Sequence, residues 1–211
     1  GIVASRRRMF ADDAARGFAF IDLCRHRFDA VLMNPPFGDP AANTKQFLQN
    51  LYIAPKHDLA SAFVERALCL SDTLALVGTI TTRTVFFLSY LAEWRQNAIV
   101  NGARVRTFAD CGTGVLDALV ETAFYVLSSR HDYAAPSVFI QAMDDDTRTN
   151  AIAALPASCV DGVLPENVFV CNVDTFSYIP RAPFAYWVSD AIRKKFVQLP
   201  AFESHGRKGC I

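Results

Sequence analysis

The sequence predicts an α/β fold: one mostly parallel sheet with a single antiparallel edge strand, followed by a mixed extension. Three observations carry that expectation. Short apolar runs at 28–33, 74–81 and 104–110 are separated by helix-like segments, the pattern of parallel strands joined by crossover helices. A fourth run, 119–127, follows the third too closely for a crossover helix. Those two strands must pair as a hairpin, which puts an antiparallel strand at one edge. The first run stops abruptly at Asn34-Pro35-Pro36, where two prolines withhold backbone donors and forbid further strand or helix.

Element by element, residues 4–26 place Met9, Phe10, Ala14, Phe18, Ile21 and Leu23 at helical spacing, so a helix is expected there, weakened at Gly17. FDAVLM (28–33) reads as a buried strand running into a rigid loop, and 39–57 as partly loop. Asp58 is placed to cap a helix reaching Leu70, with Ala62, Phe63, Ala67 and Leu70 inward. LALVGTIT (74–81) is a second buried strand and Val85 to Ile99 a helix carrying Phe86, Leu88, Leu91 and Trp94. Trp94 and Trp187 are expected in the core. Ser137 to Ala142 is a further strand, Asp144 to Asp146 a solvated turn, and Phe184 to Phe196 a helix bracketed by Pro180, Pro183 and Pro200. The domain plan is a helical lead-in (1–27), a sheet-forming half-domain (28–130) and a mixed extension (131–211).

Composition narrows the function classes. The 211 residues carry 21 Lys+Arg against 21 Asp+Glu, and 52% are hydrophobic. That balance excludes global disorder and disfavours a freestanding electrostatic nucleic-acid binder. The six cysteines are at least twelve positions apart and the four histidines are scattered. No zinc-type pair exists, so reduced thiols, no metal and a cytoplasmic setting are expected. The apolar stretch Leu74 to Ala92 contains Arg83 near its middle, which argues against a membrane span.

The chemistry concentrates in FDAVLMNPPFG (28–38). Open α/β sheets bind ligands at the carboxyl ends of their strands. There Asn34 offers an amide oxygen, Pro35 a carbonyl of restricted direction, and Phe37 a flat apolar face. Two convergent acceptors beside an aromatic ring suit a planar heterocycle carrying an NH2 group.

Asn34-Pro35-Pro36-Phe37 resembles the [DNS]-P-P-[YFW] motif of amino-methyltransferases. GTITTRTVFFLSYLAEWRQNAI (78–99), ADCGTGVLDALVETAFYVL (109–127) and IPRAPFAYWVSDAIRKKF (179–196) resemble the large PglX-type adenine methyltransferases of BREX phage-defence systems. The resemblance covers most of the chain. It implies the C-terminal half of a Rossmann-like methyltransferase sheet. It also implies S-adenosyl-L-methionine as cofactor, double-stranded DNA with a flipped adenine as substrate, and other defence-system proteins as candidate partners. Asn34, Pro35, Pro36 and Phe37 then form the catalytic loop, and Phe37, Gly38, Thr82 and Arg83 the substrate-binding set. Arg83 stands either to meet a DNA phosphate or to pair with an acidic neighbour.

In that family the main cofactor loop would precede residue 1 and a target-recognition domain would follow Ile211. A fragment inactive by itself is therefore expected. Asp110-Cys111-Gly112-Thr113-Gly114 imitates a cofactor loop, but about one helical turn separates it from the next strand. It is read as a turn with Gly112 and Gly114 at positive φ. Asp12, Asp13 and Asp22 fall in the helical lead-in and are read as solvated surface. Two further readings stay open: methylation of ribosomal RNA guanine or of a protein glutamine amide, and a non-catalytic methyltransferase-like scaffold.

Overall fold

The computed structural model describes residues 2–52, 58–116, 119–128, 135–143, 148–150 and 164–200. Its strands are β1 (Phe28–Met33), β2 (Ser71–Thr82), β3 (Arg104–Gly112), β4 (Thr122–Ser128), β5 (Ser137–Gln141) and β6 (Val168–Cys171). They form one sheet in the order β1-β2-β4-β3-β5-β6. β1 and β2 pair in parallel, as do β3 and β5, while β4 runs antiparallel to both its neighbours and β6 antiparallel to β5. Four strands thus share one direction and two oppose it. The β3–β4 hairpin forms as expected, but β4 lies inside the sheet rather than at its edge. Its side chains explain this: Ala123, Tyr125 and Leu127 face one side and are buried, while Phe124 and Val126 line the other. A strand apolar on both faces belongs between two neighbours.

The two faces of the sheet are covered unequally. One face carries Val77, Val105, Phe108, Tyr125 and Leu127 into a core closed by Val64, Ala67, Phe86, Trp94 and Ile99. The C-terminal residues Phe176, Phe184 and Tyr186 complete that core. Tyr186 stacks on Phe139 with ring centroids 5.3 Å apart. The opposite face of β1 and β2 is open, and Leu32, Leu74 and Leu76 are exposed on it. Neither β1 nor the start of β2 is therefore a fully buried strand. β1 is the terminal strand of the sheet, and Leu32 is 85% exposed.

Helix α1 (Ile2–Leu23) occupies the expected segment, but Met9, Phe10, Phe18, Ile21 and Leu23 are exposed on it. Helix α2 (Ala42–Leu51) forms within the segment read as partly loop, and it buries no residue. In α3 (Leu59–Leu70) the Asp58 side chain accepts a bond from the Ser61 amide, the expected cap. The buried stripe of α3 is Ala60, Ala62, Val64 and Ala67, whereas Phe63 is exposed. None of these helices is long and apolar enough to cross a membrane.

The segment expected as one helix from Val85 to Ile99 is broken. It comprises two 3-10 turns (Arg83–Phe86 and Ser89–Leu91), one α turn (Ala92–Trp94) and a π turn (Arg95–Val100). Arg95 braces this broken segment from within. Fully buried, its guanidinium donates to the carbonyls of Val85 (2.8 Å), Leu88 (2.7 Å), Arg181 (2.8 Å) and Ala182 (3.1 Å). The Leu88 carbonyl accepts the Leu91 N–H as well, at 3.2 Å, so it is shared between the short turn and the guanidinium. Burial pulls the Arg95 pKa down to about 10. The C-terminal helix also starts later than expected, at Asp190, and runs to Gln198. Residues 184–186 are buried turn instead, held in part by Phe184 N–H donating to Phe86 O at 3.0 Å. Trp94 is buried as expected, but Trp187 is 48% exposed and packs beside Phe87 and Tyr186. The turn expected at Asp144 to Asp146 lies outside the described residues.

The Arg95 grip holds two non-glycine residues in left-handed backbone conformation, Arg181 (φ 70°) and Ala182 (φ 47°). Such conformations cost of order 1 kcal/mol or more each. The Arg181 side chain is exposed, so removing it costs little packing. Arg181→Gly is expected to stabilise the protein by about 0.5–1 kcal/mol, read as a higher urea midpoint at unchanged slope.

Candidate catalytic edge of the sheet

β1, β2 and β3 share one direction, so Asn34, Arg83 and the Gly112 turn leave the sheet at the same edge. Asn34 is exposed there, Pro35 is buried, Pro36 is exposed and Phe37 half-buried. The loop is thus anchored by one proline while its polar side chain faces solvent. Asn34 and Leu32 are two residues apart and point to the same face. Both border a cleft of about 490 Å3 that crosses the open face over Gly78, Ile80, Thr107 and Phe124. Gly78 lies in the floor of that cleft, under the Leu32 side chain. A Cβ there would lie 2.6 Å from Leu32 Cδ2.

Past Phe37 the chain turns at Gly38, whose φ of 97° suits glycine. The Gly38 carbonyl accepts a bond from Leu59 N–H at 2.8 Å. Asp58, 5% exposed, takes the Ser61 amide at 2.8 Å, and Ser61 Oγ returns a bond to the Asp58 carbonyl at 2.7 Å. Burial pushes the Asp58 carboxyl above its usual range, against the opposing pull of the Ser61 bonds.

Arg83 meets acidic neighbours. Its Nε and Nη2 donate to the two oxygens of Asp110 at 2.6 and 2.8 Å, and its Nη1 to Glu121 at 3.1 Å. The guanidinium also lies over the Phe87 ring, 4.6 Å from its centroid. Asp110 is fully buried and accepts a third bond, from the Tyr186 hydroxyl at 2.9 Å. Burial first, and then the Asp110 charge, drive the Tyr186 pKa far upward, so Tyr186 stays a donor. Thr82 is half-buried, and its hydroxyl accepts from that of Thr84 at 3.1 Å.

The glycine turn behaves as the spacing predicts. Gly112 and Gly114 have φ of 62° and 80°. A Cβ on Gly112 would meet the Met143 carbonyl at 2.6 Å, and Arg148 donates to the carbonyls of Cys111 (2.8 Å) and Thr113 (2.7 Å). Gly112 is thus required by close packing against Met143. Burial pushes the neighbouring Cys111 thiol up to about 11, so it is no thiolate nucleophile near neutral pH. Asp12, Asp13 and Asp22 are exposed on α1, as read. Two parts of the site are not apparent from the sequence pattern: the Asp110–Tyr186 pair and the Leu59–Gly38 bond. The one available signal is Asp110 itself, an acid ending an apolar strand, since such a group is almost never buried unpaired.

The family model for the Eco57I restriction-modification methylase matches residues 5–115. The adenine-specific methyltransferase BrxX of Escherichia coli O9:H4 (strain HS) is 26% identical over 193 residues, 87% of this chain and 15% of the relative. Among solved structures, the type I restriction-modification methyltransferase subunit from Streptococcus thermophilus superposes with a TM-score of 0.53 at 16% identity, covering 70% of this chain and 35% of that one. A Listeria monocytogenes protein assigned to the class I S-adenosylmethionine-dependent methyltransferases superposes with a TM-score of 0.52 at 12% identity, covering 63% and 42%. These two structures support the fold. The chain spans about 15% of the length of the curated relative it matches.

Because Asp110 has no exposure, removing its cationic partner leaves a buried charge held by one hydroxyl. Arg83→Met is expected to destabilise the protein by about 3–5 kcal/mol. Glu121→Gln, at a side chain 42% exposed, is expected to cost less than about 1 kcal/mol. Chemical denaturation of the two variants measures the difference.

Proposed function

This chain belongs to the Eco57I restriction-modification methylase family, and from that premise we propose that it carries the amino-group site of an adenine-specific DNA methyltransferase of the restriction-modification or BREX type. The observation that supports this most is the placement of Asn34. It is an exposed amide after a parallel strand, on a cleft, followed by a buried proline and a half-buried phenyl ring. On this reading the Asn34 amide oxygen and the Pro35 carbonyl accept the two N6 hydrogens of an adenine flipped out of duplex DNA. Phe37 stacks on the base. Holding both hydrogens directs the nitrogen lone pair outwards and stabilises the positive charge that grows as the nitrogen is alkylated. Pro36 stiffens the loop, and Gly38 lets it turn.

S-adenosylmethionine is the methyl donor this reading requires. Among the described residues the glycine-containing turn at Gly112 to Gly114 packs against Met143 and Arg148, which supports a structural role for it over a cofactor-binding one. For Arg83, the ion pair with Asp110 favours a bracing role at the β2 tip over a phosphate contact. Methylation of ribosomal RNA or of a glutamine amide uses the same planar amino chemistry, but the DNA-methylase family and the BrxX similarity favour adenine.

In the full-length protein, Asn34→Ala is expected to lower methyl transfer to duplex DNA by at least about a hundredfold with the fold unchanged by circular dichroism. Radiolabelled methyl transfer, with N6-methyladenine identified by mass spectrometry, measures this. Ribosomal RNA and a release factor tested in parallel should accept no methyl group. Wild-type activity of Asn34→Ala would remove Asn34 from the site.

A further inference from the structure

The loop that carries Asn34 has few ways of being held. Pro35, Pro36 and Pro40 supply no N–H, and Gly38 sits at a φ that adds no rigidity of its own. Buried Pro35 and Pro40 anchor it by packing, and the start of α3 adds a hydrogen bond at Gly38. The first amides of a helix have no partner inside it, and here that of Leu59 is spent on the Gly38 carbonyl, 2.8 Å away. The direction of that N–H depends on where the helix begins. The Asp58 cap sets this, through its bond to Ser61 N–H and the return bond from Ser61 Oγ. The helix is in turn seated in the core by Ala60, Ala62, Val64 and Ala67. A chain of contacts therefore runs from the core through α3, Asp58 and Leu59 to the loop four residues past Asn34.

We propose that Asp58 and the Leu59 amide are positioning elements for the amino-group site: the capped first turn of α3 clamps Gly38 and so sets the orientation of the Asn34–Phe37 loop. This rests on the methyltransferase reading above. Neither group touches the base. The Asp58 backbone (φ −149°, ψ 111°) is extended, the conformation that a following proline requires. Proline is also well tolerated as the first residue of a helix. Leu59→Pro therefore removes the clamping N–H while leaving helix and cap in place.

The test uses the full-length protein and four variants: Leu59→Pro, Asp58→Ala, Asp58→Asn and Asn34→Ala. Leu59→Pro and Asp58→Ala are expected to lower kcat at least tenfold, with KM for duplex DNA and the affinity for S-adenosylmethionine within about twofold of wild type. Asparagine caps as well as aspartate, so Asp58→Asn should restore kcat to within about twofold. If Asp58→Ala does not fold, Leu59→Pro against Asp58→Asn carries the comparison. Wild-type kcat in Leu59→Pro, with Asn34→Ala inactive, overturns the clamp. So does Asp58→Asn as impaired as Asp58→Ala, because the carboxylate charge would then act directly. Full activity of Asn34→Ala overturns the methyltransferase reading instead.

Discussion

The Asp110 carboxylate imposes the strictest condition on this fold. It lies fully buried at the end of β3, where an unpaired charge would cost several kcal/mol. Its partners come from distant parts of the chain: Arg83 just beyond β2, and Tyr186 from the C-terminal segment. Through Arg83 it also reaches Glu121, immediately before β4. One buried acid therefore ties two strand ends and the approach to a third to the C-terminal segment. β1 follows, because Val31 to Met33 pair in register with Val77 to Thr79 of β2, and Asn34 is the next residue along.

The same economy of buried charge recurs with cations. Arg95 satisfies its donors on four backbone carbonyls from two segments. Arg193, 1% exposed, bonds Thr175 and the carbonyls of Ala185 and Tyr186, and lies over the Phe176 ring. Planar guanidinium groups suit this role because they present several donors in fixed directions. Arg95 ties residues 181–182 to the segment after β2, and Arg193 ties the C-terminal helix to residues 175–186. The open face carries the cleft beside Asn34.

Much of the fold is legible in local sequence. FDAVLM, LALVGTIT and LVETAFYVL are apolar runs of strand length, although the last forms strand only from Thr122 onward, and Asn34-Pro35-Pro36 ends the first of them for a reason contained in two rings. Asp58 is a cap by residue type and position. The positive φ of Gly112 and Gly114 follows from a turn too short for a helix. Less legible are the features that depend on partners far along the chain. The pattern from Val85 to Ile99 is helical in hydrophobic spacing, yet the segment is a series of short turns that Arg95 ties to Arg181 and Ala182. Phe184 to Tyr186 match a helix pattern, yet the Phe86 carbonyl and the Asp110 carboxylate hold them in a turn.

The amino acids alone therefore determine the strands, the rigid loop after β1 and the chemistry that Asn34 to Phe37 offer, because these depend on neighbours within a few residues. Only the tertiary structure decides that β4 lies inside the sheet, that Arg83 serves Asp110, and that Leu59 holds Gly38. Each of those is a choice among several partners of similar local energy, and burial makes the choice by penalising every polar group left without one.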